Sequence, residues 1–181
     1  MINVIARLLT KKCVGFLMQI CQSFRVGGDL KIIYGQGGLN VIEFFVPVKP
    51  VPMARPRVTR TGHAYTPKNC VEYKSLISTY ARDVMRGREI YDGEVWVEIS
   101  FYYMTPTSWS KKKRESMTGE GMTSRPDIDN LYKAVTDALI GIVYRDDSQI
   151  TRALMRKQYN ENDSGVLITV GRKEDFPNSW R

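Results

Sequence analysis

Apolar and polar positions alternate most regularly between Glu94 and Met104, where Val95, Val97, Ile99, Phe101 and Tyr103 recur at every second residue. A period of two puts one set of side chains on one face of a pleated chain, so a strand is predicted here. Val41 to Val48, rich in Val and Phe, reads as a second, buried strand. Asn69 to Met85 is predicted helical, with only a fair apolar stripe through Val71, Ile77, Ala81 and Met85, and with Gly87 to end it. A stronger helix is predicted over Asp127 to Gly141, because Ile128, Leu131, Val135, Ala138, Leu139 and Ile142 fall at helical spacing. Gln149 to Gln158 and Val166 to Gly171 are expected to pair as strands around the turn Asn160–Gly165.

Shorter elements fill the gaps. Pro47, Pro50, Pro52 and Pro56 break up the chain after the first strand. Thr61-Gly62 is placed to turn a small hairpin, with Arg57 and Arg60 on one arm and His63 and Tyr65 on the other. Ser108 is expected to cap a short helix from Trp109 to Met117, and Thr118 to Ser124 is expected to be a flexible loop. This order predicts an α/β (α+β) fold, a single domain with a small mixed β-sheet flanked by helices. The domain is expected to span residues 41–173, with residues 1–40 as an N-terminal extension and residues 174–181 as a frayed tail.

Composition mainly excludes. With 181 residues, 43% hydrophobic and 25% charged, the chain can bury a core without covalent staples. Cys13, Cys21, Cys70 and the single histidine, His63, supply neither a zinc module nor a disulfide framework. No apolar run approaches the roughly 20 residues that span a bilayer. Arg7, Lys11 and Lys12 precede an apolar stretch from Cys13 to Cys21 that superficially resembles a signal peptide. No Ala-x-Ala site follows, so the stretch is read as part of a non-essential extension. A cytoplasmic location is therefore expected.

The formal net charge is +8, and its distribution is uneven. Residues 49–88 hold nine bases against Glu72 and Asp83. Lys111, Lys112, Lys113 and Arg114 form a second cluster. Such patches suit a phosphate backbone, and equally suit an ordinary solvated surface. Arg55, Arg57, Arg60 and Lys68 are the candidate DNA contacts.

The chemistry concentrates in Arg125-Pro126-Asp127-Ile128-Asp129-Asn130-Leu131-Tyr132-Lys133, followed by Asp137 and then by Asp146-Asp147-Ser148-Gln149. Each acid has an ordinary structural reading. Asp127 suits a helix N-cap, Asp129 and Lys133 suit an i,i+4 pair, and Asp146-Asp147 suits a turn. Together they suggest carboxylates gathered from a helix entrance and a later turn. Bare anions repel each other, whereas a hard divalent cation such as Mg²⁺ favours such a set. A metal among carboxylates, beside a lysine and basic arms, is the layout of a metal-dependent nuclease. No Gly-x-x-x-x-Gly-Lys-Ser/Thr loop is present, which disfavours an NTPase.

The stretch from Arg125 to Ala134, with Asp137-Ala138-Leu139 and Asp146 to Ile150, strongly resembles the RusA family of Holliday junction resolvases, small endodeoxyribonucleases common in phages and prophages. Pro52 to Thr59 and Gly62 to Pro67 look like the N-terminal block of its phage-type members, and the likeness covers about residues 41–171. The resemblance implies a homodimer that binds four-way junctions or other branched DNA and resolves them by paired symmetric nicks in recombination and repair. It implies Mg²⁺ as cofactor, with Mn²⁺ as an alternative ion. By position it makes Asp127, Asp129 and Asp147 the metal ligands and Lys133 the catalytic lysine, with Asp147 chosen over Asp146. Asn130 is read as a first-turn hydrogen-bonder and Asp137 as a partner of Lys133. The competing reading is a non-catalytic phage protein that binds branched DNA.

Overall fold

The computed structural model describes residues 41–54, 57–58, 62, 64–161 and 163–177. Its elements are β1 (Val41–Val46), β2 (Arg57–Val58), β3 (Ala64–Tyr65), α1 (Lys68–Val84), β4 (Val95–Met104), α2 (Lys111–Met117), α3 (Ile128–Leu139), β5 (Ile150–Asn160) and β6 (Gly165–Arg172). One four-stranded sheet runs in the order β1-β6-β4-β5, and β2 with β3 forms a separate hairpin. β1 and β4 each pair antiparallel with β6, while β5 lies parallel to β4, so the sheet is mixed. The result is an α+β domain, as the element order predicts.

The pairing of the last two strands differs from expectation. β5 and β6 are not neighbours, because β4 lies between them. β4 is buried along almost its whole length on both faces, and a strand of that kind needs a partner on each edge. The segment through α2 and α3 is thus a crossover between two parallel strands, which the expected pairing of β5 with β6 around Asn160–Gly165 does not capture.

α1 and α3 cover the sheet face carried by Val95, Val97, Ile99, Phe101 and Tyr103. α3 buries Leu131, Ala134, Val135, Ala138 and Leu139, with Ile128 and Ile142 half-buried, so its stripe is as predicted. On α1 the buried face is Cys70, Tyr73, Ile77, Ala81 and Val84, whereas Val71 is exposed. Polar-tipped Tyr73 takes an inward place that hydropathy alone gave to its neighbours. Two bonds lock the helices together: Lys74 Nζ meets Asp137 Oδ2 at 2.8 Å, and the Ser78 hydroxyl donates to the Ala138 carbonyl at 2.8 Å.

Three further expectations change. α2 begins at Lys111, and its cap is Ser110, whose side chain accepts from the Lys113 N–H; Trp109 instead packs edge-on to Tyr159 with Lys113 over its ring. The stretch after α2 is pinned along β5: Gly119 N–H donates to the Tyr159 carbonyl, Tyr159 N–H to Glu120, and Met122 N–H to Lys157. Residues 174–177 are held through Phe176, which lies edge-on to Trp96 and under the Arg152 guanidinium, while 178–181 of the expected frayed tail lie outside the described residues. Thr118 to Ser124 is thus ordered by backbone pairing along the free edge of β5, not the flexible loop its composition suggests. The hairpin of β2 and β3 forms with Gly62 at φ 85°, the left-handed region that glycine tolerates.

Candidate active site

Asp127 is the N-cap residue of α3, at the positive end of the helix dipole. Its side chain makes no capping hydrogen bond, so the ordinary reading of this residue fails. Asp129 lies in the first turn. Its carboxylate has no hydrogen bond or ion pair among the described residues, and Lys133 pairs forward with Asp137 at 3.8 Å. Asp137 has a tighter partner in Lys74 of α1, a residue the sequence reading missed because it lies 63 positions away. Lys133 keeps 60% of its side chain exposed, while Asp137 keeps 20%. Asp137 therefore joins the helices first and restrains Lys133 only loosely.

The two aspartates before β5 have opposite fates. Asp146 caps the 3₁₀ turn Asp147–Gln149 and accepts from the Ser148 N–H at 2.9 Å. Hydrogen bonding to Ser148 holds its carboxyl below the usual carboxylate range. Gln149 completes the box: its Oε1 accepts from the N–H groups of Arg145 and Asp146, and its Nε2 donates to the Tyr91 and Gly93 carbonyls. Asp147 sits in the same turn with its carboxylate outside this network. That contrast gives a physical reason for preferring Asp147 as the reactive acid.

Asp147 stands against the second turn of α3. It lines a cleft of about 240 Å³ together with Tyr132, Thr136 and the start of β5. Burial first, and the Asp147 charge second, push the Tyr132 phenol up to about 12. Tyr132 is therefore a neutral hydrogen-bond donor at physiological pH, not a base. Tyr144, fully buried behind it, donates to the Thr136 carbonyl at 2.9 Å; burial, then the neighbouring Tyr132, raises its pKa.

Asp127 opens onto a different cleft, of about 880 Å³, between the Lys49–Met53 segment, α1 and the start of α3. Arg125 and Asn130 line it too, and the Arg125–Pro126 peptide is cis. The hydrogen bond expected of Asn130 is made by its backbone, whose carbonyl accepts from Met53 N–H at 2.8 Å. Tyr103 donates to the Pro50 carbonyl at 3.0 Å, which fixes the same segment from the sheet side.

The donor set suits a hard cation, since every candidate ligand is a carboxylate oxygen. Among the described residues, however, no three of His, Cys, Asp and Glu stand close enough to hold a metal ion. The reason is geometric. Asp127 opens onto the cleft at the helix entrance, whereas Asp147 lines a separate cleft beside Tyr132 and Thr136. Lys68 lies fully out in solvent and pairs with Glu72 at 3.4 Å. Arg55, Arg60 and His63 lie outside the described residues, as do the side chain of Arg57 and all of residues 1–40.

Comparison with known proteins places the chain in a family. The family model for endodeoxyribonuclease RusA matches residues 47–171. An uncharacterized protein of Bacillus subtilis (strain 168), YqaN, is 33% identical over 130 residues, covering 68% of this chain and 91% of the relative. The match spans the hairpin, the α3 motif and the turn before β5 together, and the chain belongs to the RusA endodeoxyribonuclease family.

Proposed function

We propose that the protein is a divalent-metal-dependent endonuclease that resolves Holliday junctions, acting as a homodimer that nicks two strands symmetrically. The observation that supports this most is the division of labour in the motif. Asp146, Asp137, Gln149 and the Asn130 carbonyl take structural bonds, whereas the carboxylates of Asp127, Asp129 and Asp147 have no hydrogen bond or ion pair among the described residues.

Asp127 and Asp129 would hold Mg²⁺ or Mn²⁺ at the helix entrance, since Mg²⁺ binds through one or two carboxylates and keeps several waters. Asp147, from the turn before β5, would be the third carboxylate of the set. The ion would supply Lewis-acid polarisation of the phosphodiester and activation of water. Lys133, on the exposed side of α3, would steady charge developing on the scissile phosphate. Tyr132 stays protonated and offers a donor beside Asp147. Arg55, Arg57, Arg60 and Lys68 would grip backbone phosphates along the two arms of a junction. Neutralising Arg55 and Arg57 together should flatten the log–log salt dependence of binding by about two units.

The deciding experiment incubates the purified protein with a synthetic four-way junction and a matched linear duplex, in Mg²⁺ or in EDTA. Paired nicks in the junction alone, and only with Mg²⁺, are expected. Equal cutting of the duplex, or cutting in EDTA, would overturn the proposal. Binding without any cutting would favour a non-catalytic junction-binding protein.

A further inference from the structure

Lys157 is half-buried on the edge strand β5. In the parallel pairing of β5 with β4 it lies opposite Phe101, following Ala153 opposite Val97 and Met155 opposite Ile99. Those β4 residues all point into the core beneath the helices. A half-buried ammonium there still needs hydrogen-bond acceptance for its donors. Lys157 finds it in two carbonyls: its Nζ donates to Ser124 and to Pro126, both at 2.6 Å. Both bonds are charge-assisted and short.

These two carbonyls bracket Arg125 and end immediately before Asp127. Asp127 does not fix its own helix entrance, because its side chain makes no capping bond. Something else must set the direction from which the chain enters α3. The upstream stretch is already tied to β5 by the backbone bonds of Gly119, Glu120 and Met122, and Lys157 extends that attachment to the last residue before the motif. Its ammonium also brings positive charge to a helix start that carries two uncommitted carboxylates.

Resting on the nuclease reading above, we infer that Lys157 is a positioning residue of the active site. It clamps the Ser124–Pro126 turn so that Asp127 and Asp129 are presented for metal and phosphate, and it does not itself touch DNA. This role was invisible in the sequence, since 31 residues separate Lys157 from Pro126.

The test compares Lys157→Met, which keeps the aliphatic stem, with Lys157→Arg. Cleavage of a four-way junction is measured under saturating conditions, junction affinity is measured in Ca²⁺, and Mg²⁺ is titrated. For Lys157→Met, kcat should fall about 10- to 100-fold, as for a catalytic group displaced by about 1 Å. Junction affinity should stay within about twofold, the Mg²⁺ midpoint should rise several-fold, and Lys157→Arg should recover part of kcat. Unchanged kcat and Mg²⁺ midpoint would overturn the inference. So would a loss of affinity with unchanged kcat, which would make Lys157 a phosphate contact. If Lys157→Met does not fold, Lys157→Gln keeps one donor for one carbonyl, and kcat equal to wild type in that variant would also overturn the inference. An Asp129→Asn control separates the two readings. If Asp129→Asn is dead while Lys157→Met is fully active, only this inference fails; if Asp129→Asn still cuts, the site reading itself fails.

Discussion

The entrance of α3 and the turn before β5 use the same residue, aspartate, in opposite ways. At the turn, Asp146 closes a capping box with Gln149, and the side chain is consumed by the backbone. At the entrance, Asp127 occupies the cap position without making the cap bond, and the chain is held by others: Met53 on the Asn130 carbonyl and Lys157 on the Ser124 and Pro126 carbonyls. Delegating the structural bonds to neighbours is what leaves a carboxylate available. Asp147 shows the same logic at closer range, since Asp146 and Gln149 hold the turn in its place.

The sharpest way to break this comparison is to exchange activity for stability at each position. Asp129→Asn and Asp147→Asn should each lower junction cleavage by about 10³-fold or more, with junction binding and melting temperature kept. Retained cleavage in either variant would remove that residue from the site. Lys133→Ala should follow, with a loss of about 10²-fold in kcat and little loss of affinity; a pure affinity loss would make it an anchor.

Gln149→Ala should cost about 1 kcal/mol in denaturant unfolding, because four hydrogen bonds are lost and three of them are exposed to water. It should also slow cleavage by loosening Asp147. Asp146→Ala should lower the melting temperature slightly, with cleavage largely kept. Equal effects on cleavage from Asp146→Ala and Asp147→Asn would end the distinction between the two aspartates.

The smallest effect is expected far from both regions, on the sheet face opposite the helices. Burial raises the Glu43 carboxyl above its ordinary value, partly offset by a hydrogen bond from the Thr169 hydroxyl. The folded state therefore holds its proton to higher pH than the unfolded chain. Stability should fall as pH rises from about 4.5 through the raised value, and stay lower above it. Glu43→Gln should flatten that slope and raise the melting temperature at pH 7 by about 1–2 °C. An unchanged slope would show that Glu43 is solvated in the folded protein.

Much of this was legible along the chain. Alternation at Val95 to Tyr103 specified β4, and the 3.6-residue stripe from Ile128 to Leu139 specified α3, because both depend only on local period. Asp127, Asp129, Lys133 and Asp147 stood out as a spaced set of residue types. The roles of their neighbours did not. That Asp137 belongs first to Lys74, that Gln149 braces Asp147 from Tyr91 and Gly93, and that the glycine-bearing stretch after α2 is pinned to β5 are all contacts across long separations.

By itself the sequence determined which residues carry charge for the chemistry and which periods build strands and helices, since side-chain type and spacing are local properties. Only the tertiary structure decided that β4 separates β5 from β6, and which carboxylates are spent on the backbone and which are left free. Hydrogen-bond partners are chosen by packing, and packing brings together groups whose separation along the chain carries no signal.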